Sequence, residues 1–182
     1  MKHLFNLLRM YANNIKALLN RKLSAAGFGG GIVNAQTELK IQHIRNGKVI
    51  KTRRIFDKVI TTAFVNDIVD CLTANATRLA LFDDYKYHAS GTGTTAEAVG
   101  NTALVAEVET RVVGTQVEGS GTNIYQSVAT VAYVSAHAIT EHGLLNASTL
   151  GILMDRTVFP AINALAGDSI QFSFTIQFNA GG

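Results

Sequence analysis

Staples are scarce in this chain. Its 182 residues hold one cysteine, Cys71, which excludes an internal disulfide and a cysteine-built zinc site. Tryptophan is absent, and proline occurs once, at Pro160. No apolar run approaches the roughly 18 residues that a membrane-crossing helix needs, so no transmembrane segment is expected. Charge is also thin, at 16% of residues, where soluble domains average about 25%. Apolar residues are an ordinary 47%, which excludes disorder as the main state. Low charge on an otherwise ordinary chain predicts a surface partly covered by sister subunits instead of water. At this length roughly 70% of the unfolded chain's surface can be buried, enough for one domain plus an appendage.

The charges that are present are unevenly placed. Residues 1–58 carry twelve lysines and arginines against Glu38 and Asp57, a net +10. Residues 59–182 carry four against eleven acids, a net −7. Such a split favours contact between copies, basic part against acidic part, or contact of the basic end with an acidic partner. A nucleic-acid partner is not expected, because the basic residues are not interleaved with the aromatics that single-strand binders stack on.

Three segments follow from the pattern. Residues 1–26 form a basic amphipathic helical arm, with Leu4, Leu8, Tyr11, Ile15 and Leu18 on one face and Lys2, Arg9 and Lys16 on another. A secretory signal peptide is not expected there, since Asn6, Arg9, Asn13 and Asn14 break the apolar stretch. The arm's apolar face has three candidate landing places: its own domain, a neighbouring subunit or a membrane surface. Of these a membrane is the one not expected as a partner. Residues 27–36 form a Gly-rich linker, as Gly27, Gly29, Gly30 and Gly31 cannot continue a helix cheaply. Residues 37–182 form the main domain.

Within that domain, Thr37–Ile44 and Lys48–Phe56 flank Asn46-Gly47, a type I′ hairpin signal. The hairpin is basic through Lys48, Lys51, Arg53 and Arg54. Two roles stay open for it: a solvated edge protected by charge, or a contact with acidic protein or phosphate. Ile60, Phe64, Ile68 and Leu72 recur at intervals of four and predict a helix over 57–73, with Asp57 or Thr61 as its N-cap and Cys71 buried beside the stripe. The remaining runs read as strands: Asn123–Val134, Ala138–Leu145, Ile152–Phe159, and a last strand in which Ile170, Phe172, Phe174, Ile176 and Phe178 alternate with polar residues. The fold class expected is mainly β: an antiparallel β-sandwich or jelly roll with one packed helix and the N-terminal helical arm.

No segment carries a convincing active site. Gly91-Thr92-Gly93-Thr94-Thr95 lacks the Gly-Lys-Ser/Thr ending of a phosphate loop and the third glycine of a dinucleotide fingerprint. It is expected to be a surface loop packed on a neighbour. His137 and His142 are five apart in a strand, where residues 137, 139, 141 and 143 share a face and 142 points away, so they do not make a metal site with Glu141. Glu141 is expected to pair with Arg111 or Arg156, and Glu107, Glu109 and Arg111 to share a face and ion-pair. No catalytic residue, metal ligand or cofactor is assigned.

The stretches Tyr87–Ala96, Gly100–Leu104 with Glu107 and Arg111, Ala138–Leu145, Leu153–Pro160 and Ala166–Ile170 together resemble a pattern in structural proteins of tailed-phage virions. The resemblance covers about residues 37–182 and leaves out the arm. It implies a β-sandwich and a non-enzymatic virion component, first of all a capsid decoration or cement protein. Its alternatives are a tail or vertex adaptor, a fibre anchor, or a module binding carbohydrate or nucleic acid. The expected partners are other copies of the chain, as dimer or trimer, and a major capsid or other virion protein. The expected location is the virion, assembled in the host cytoplasm.

Overall fold

The computed structural model describes residues 33–73 and 84–180. The predicted arm, with Leu4, Leu8, Tyr11, Ile15 and Leu18, lies outside the described residues. Val33, Asn34, Asn179 and Ala180 fall outside the compact unit Ala35–Phe178.

The described chain is mainly β. In order come β1 (Val33–Arg45), β2 (Lys48–Phe56), β3 (Val59–Ile60), helix α1 (Thr62–Leu72), β4 (Tyr87–Gly91), β5 (Glu107–Val113), β6 (Thr115–Glu118), β7 (Ile124–Ala132), β8 (His137–Leu145), β9 (Leu153–Ala164) and β10 (Ser169–Ala180). They form two five-stranded antiparallel sheets. One runs β2-β1-β10-β7-β6 and the other β3-β9-β8-β4-β5.

Alternation decides which face goes inward. On β10, Ile170, Phe172, Phe174 and Ile176 are buried, while Phe178 is only partly so. They meet Leu39 and Ile41 of β1 in their own sheet and Ile139, Leu144, Phe159 and Ile162 of the opposite sheet. These residues form one core between two sheets, the sandwich-like arrangement that alternating strands require. A smaller apolar cluster, Ala89, Leu104, Leu145 and Leu153, sits apart from it.

The Asn-Gly hairpin forms as expected. Asn46 and Gly47 take φ of 51° and 72°, the two positive values a type I′ turn demands. Strand β1 starts at Val33, earlier than Thr37, and so takes up the last residues of the predicted linker.

The helix differs from its expectation. It starts at Thr62, capped by the Thr61 hydroxyl, which accepts from the Phe64 N–H at 3.2 Å. Asp57 is not the cap: it sits in a turn at φ 53° and donates its N–H to the Thr37 carbonyl at 2.9 Å. Ile60 belongs to β3, paired with Asp155, and Leu72 is 81% exposed. Of the predicted stripe, Phe64 and Ile68 face the core from the helix and Ile60 packs against it from β3, while Leu72 does not. Cys71 is half-buried, not buried.

Two irregularities also escaped the pattern. Strand β9 runs past Phe159 to Ala164, and its register against β8 shifts between the pairs Ile139↔Ile162 and Glu141↔Val158. Pro160 lies in the interval, where its missing N–H is tolerated. The shift separates Ile139, in the main core, from Glu141, which turns to the opposite face. Residues 139 and 141 therefore do not share a face as simple alternation predicts. On β5, Glu109 adopts φ 59° inside a register shift against β4. That removes it from the face of Glu107 and Arg111. It also folds the strand so that Arg111 Nε reaches Glu107 Oε1 at 2.7 Å, where a straight strand would hold residues four apart at about 13 Å.

Candidate functional site

The most heavily bonded polar cluster is built on the outward faces of β8 and β9. Glu141 and Arg156 are both fully buried and paired, Nε to Oε2 at 2.8 Å. The carboxylate also accepts three backbone N–H groups: Gly93 at 3.0 Å, Ala106 at 2.8 Å and Val105 at 3.1 Å. The guanidinium donates to the Thr95 carbonyl at 3.0 Å and to Asn101 Oδ1 at 3.2 Å. All of these partners lie between Gly91 and Ala106, so this stretch is strapped over its own ion pair. The surface loop expected to pack on a neighbour is here an internal cover over residues 91–93. Small residues are required there, because a Cβ on Gly93 would lie 2.5 Å from Glu141 Oε1.

The chemistry of this cluster is that of a lock. The bonds from Ala106, Val105 and Arg156 outweigh desolvation and hold the Glu141 carboxyl below its ordinary value. A carboxylate held by four donors, one of them a guanidinium, is committed to the fold. Arg111 plays a smaller version of the same part. Besides Glu107, it donates to the carbonyls of Ala147 and Leu150, holding the turn between β8 and β9.

A second cluster was not foreseen from the sequence. His88 of β4 bonds His142 of β8, Nδ1 to Nε2 at 3.0 Å, and Ser127 of β7, Nε2 to Oγ at 2.8 Å. His142 stacks on Phe172 with ring centroids 4.5 Å apart. The Ser–His–His order imitates the hydrogen-bond chain of an activated nucleophile. Its environment opposes that use: all three side chains are wholly buried and line neither of the cavities described below. Burial alone drives His88 down to about 3, far too acidic to serve as a base near neutrality. His88 carried no sequence signal, since one histidine in a short strand shows nothing of what the other sheet brings to it.

His137 and the hairpin residues are dispersed. His137 meets Ser135 Oγ at 2.8 Å and Glu109 at 3.4 Å, so His137, Glu141 and His142 go to three different places. No group of three or more His, Cys, Asp or Glu able to hold a metal occurs among the described residues. On β2, Lys48 and Lys51 project into solvent. Arg53 is engaged internally, donating to the carbonyls of Pro160 and Ala161, and Arg54 pairs with Glu38 at 3.2 Å. Next to the hairpin turn, Asp168 accepts from Arg45 Nε and Nη2 at 2.8 and 2.7 Å, from the Leu165 N–H at 2.9 Å, and bonds His43 Nε2 at 2.8 Å.

Two concavities stand out among the described residues. One, about 530 Å³, opens at an end of the sandwich among Phe64, Tyr85, Tyr125, Met154, Ile176 and Phe178. The other, about 450 Å³, crosses the outer face of the first sheet. Comparison with known proteins adds no neighbour. No family model, curated protein or solved structure matches the chain. Among the described residues, no helix is long and apolar enough to cross a membrane.

Proposed function

We propose that this is a non-enzymatic structural protein of a tailed-phage virion, a capsid decoration or cement protein that acts through self-association and docking of its arm. The observation that carries the reading is the amount of apolar side chain left on regular elements. Val65, Val69 and Leu72 follow one another at helical spacing on the solvent side of α1, each at least half exposed. Val49 and Ile50 stand out near the hairpin tip beside Lys48 and Lys51. Such apolar strips on a chain with few charges are what subunit contacts require. The buried Glu141 and His88 are spent on holding a loop and two sheets together. Within the architecture we favour a plain sandwich over a jelly roll, because β6–β7 and β8–β9 are hairpins that each stay inside one sheet.

The arm supplies the attachment. Burying five large apolar side chains at roughly 1.5–3 kcal/mol each is worth about 7–15 kcal/mol before ordering costs. The deciding measurement is copy number in purified particles, by quantitative mass spectrometry against the major capsid protein. A ratio near one to one, or a simple fraction of it, is expected. A few per cent would move the protein to the tail or a vertex, and absence from particles would discard the virion reading. Deleting residues 1–26 is expected to leave the sandwich folded and to weaken its attachment to particles. Undiminished attachment would overturn the role of the arm.

A further inference from the structure

The outer face of the first sheet has the make-up of a ligand groove. Leu39 and Ile41 face the core, so Glu38 and Lys40 face outward, and their cross-strand partners Phe56 and Arg54 stand beside them on that face. Across the sheet lie Ser173 and Thr175 of β10 and Gln126 of β7, which line the same 450 Å³ depression, rimmed by Gly119 and Ser120. Gln126 Nε2 donates to Thr175 Oγ1 at 3.1 Å, which leaves the amide oxygen and the threonine hydroxyl proton for a ligand. Arg54 and Glu38 form an exposed donor–acceptor pair at 3.2 Å. Lys40 and Ser173 make no side-chain hydrogen bond among the described residues. Phe56, 57% exposed, supplies a flat apolar surface at the edge of the groove.

Donors and acceptors in alternation beside an exposed ring match one ligand chemistry. Each hydroxyl of a sugar both donates and accepts, and the C–H face of a pyranose is apolar. We propose that this face binds a neutral oligosaccharide, with Phe56 stacking on a sugar ring and Glu38, Arg54, Gln126, Ser173 and Thr175 hydrogen-bonding its hydroxyls. A polyanion fits less well. Of the two cations in the groove, Arg54 is already paired, and the Glu38 carboxylate would repel a phosphate chain. The inference does not rest on where the protein sits in a particle, and its failure would leave the copy-number question untouched.

The test applies the full chain to an array of neutral oligosaccharides, with heparin and a single-stranded oligonucleotide as polyanion arms. Binding to at least one class of neutral glycan is expected, little changed by added salt. It should weaken about tenfold or more in Phe56→Ala and in the double variant Ser173→Ala, Thr175→Ala. All these positions are on the solvent side of the sheet, and an unchanged thermal midpoint would show that each variant is folded. The proposal is overturned by any of three results: no binding across the neutral array, binding that both folded variants retain, or a preference for heparin or the oligonucleotide that falls steeply with salt.

Discussion

Arg156 shows what a single buried charge does when every partner is in place. Its guanidinium neutralises Glu141 and holds the Thr95 carbonyl and the Asn101 side chain, while Glu141 holds three backbone amides from the same cover. Arg156→Met keeps an unbranched apolar stem and removes the charge. It leaves Glu141 as an unpaired buried carboxylate, at an expected cost of about 3–5 kcal/mol. The loss should be local first: the amides of Gly93, Val105 and Ala106 should exchange with solvent faster than those of β10. Urea unfolding and residue-resolved hydrogen exchange measure both effects, and unchanged exchange at those three amides would show that the ion pair does not hold the cover. That Glu141 needed an arginine was readable from the sequence. Which arginine it meets, and that Gly91–Ala106 folds over the pair, was not, because both depend on the register of β8 against β9.

At the scale of elements, the β1–β2 hairpin is tied down next to its turn by Asp168, which precedes β10. Arg45 lowers the Asp168 carboxyl below the ordinary carboxylate range, with help from the Leu165 N–H and His43. A depressed acid stabilises the fold above its unfolded value of 3.8 and loses that contribution as pH falls through the folded value. Asp168→Asn removes the charge that draws Arg45 in. Its expected effect is a thermal midpoint lower by a few degrees near neutral pH, with the difference from the parent shrinking in acid. A variant that melts with the parent at pH 7 would show that this end of the hairpin is held by the sheet ladder alone. The strength of the sequence signal explains what was foreseen here. The Asn-Gly turn and the strict alternation of β10 are local rules, and both held. The helical stripe through Ile60 and Leu72 was coincidence of spacing: β3 pairing claims Ile60, and Thr61, with its side-chain oxygen facing the Phe64 N–H, begins the helix later. The positive φ of Glu109 and the shifted register beside Pro160 are settled by neighbouring strands, so no window of sequence displays them. The buried Ser127–His88–His142 chain has the same origin, as its members come from three strands of two sheets.

For the whole molecule, the buried titratable groups set opposing limits on stability. His88 is held at about 3 and His142 well below its usual 6.5, both chiefly by burial. Below pH 6.5 the unfolded chain takes up protons that these two histidines refuse, so acid favours unfolding. Asp155 acts in the other direction. Full burial pushes it up to about 8, against 3.8 in the unfolded chain, with the Thr157 hydroxyl bonded to its Oδ1 at 3.0 Å. Between those values the native chain carries a proton that the unfolded chain has released, so stability falls as pH rises. From about pH 4 to 6.5 two histidines outweigh one aspartate and stability climbs with pH; above 6.5 Asp155 acts alone among these three and stability declines until about 8. A maximum between about pH 6 and 7 is therefore expected in urea unfolding measured from pH 4 to 9. Asp155→Asn retains an acceptor for Thr157 and cannot ionise. It should abolish the alkaline decline and be more stable than the parent at pH 9 by roughly 2–5 kcal/mol, with the gain vanishing towards pH 4. A parent protein whose stability keeps rising from pH 7 to 9, or an Asn variant with the same alkaline slope, would show that Asp155 is ionised inside the fold.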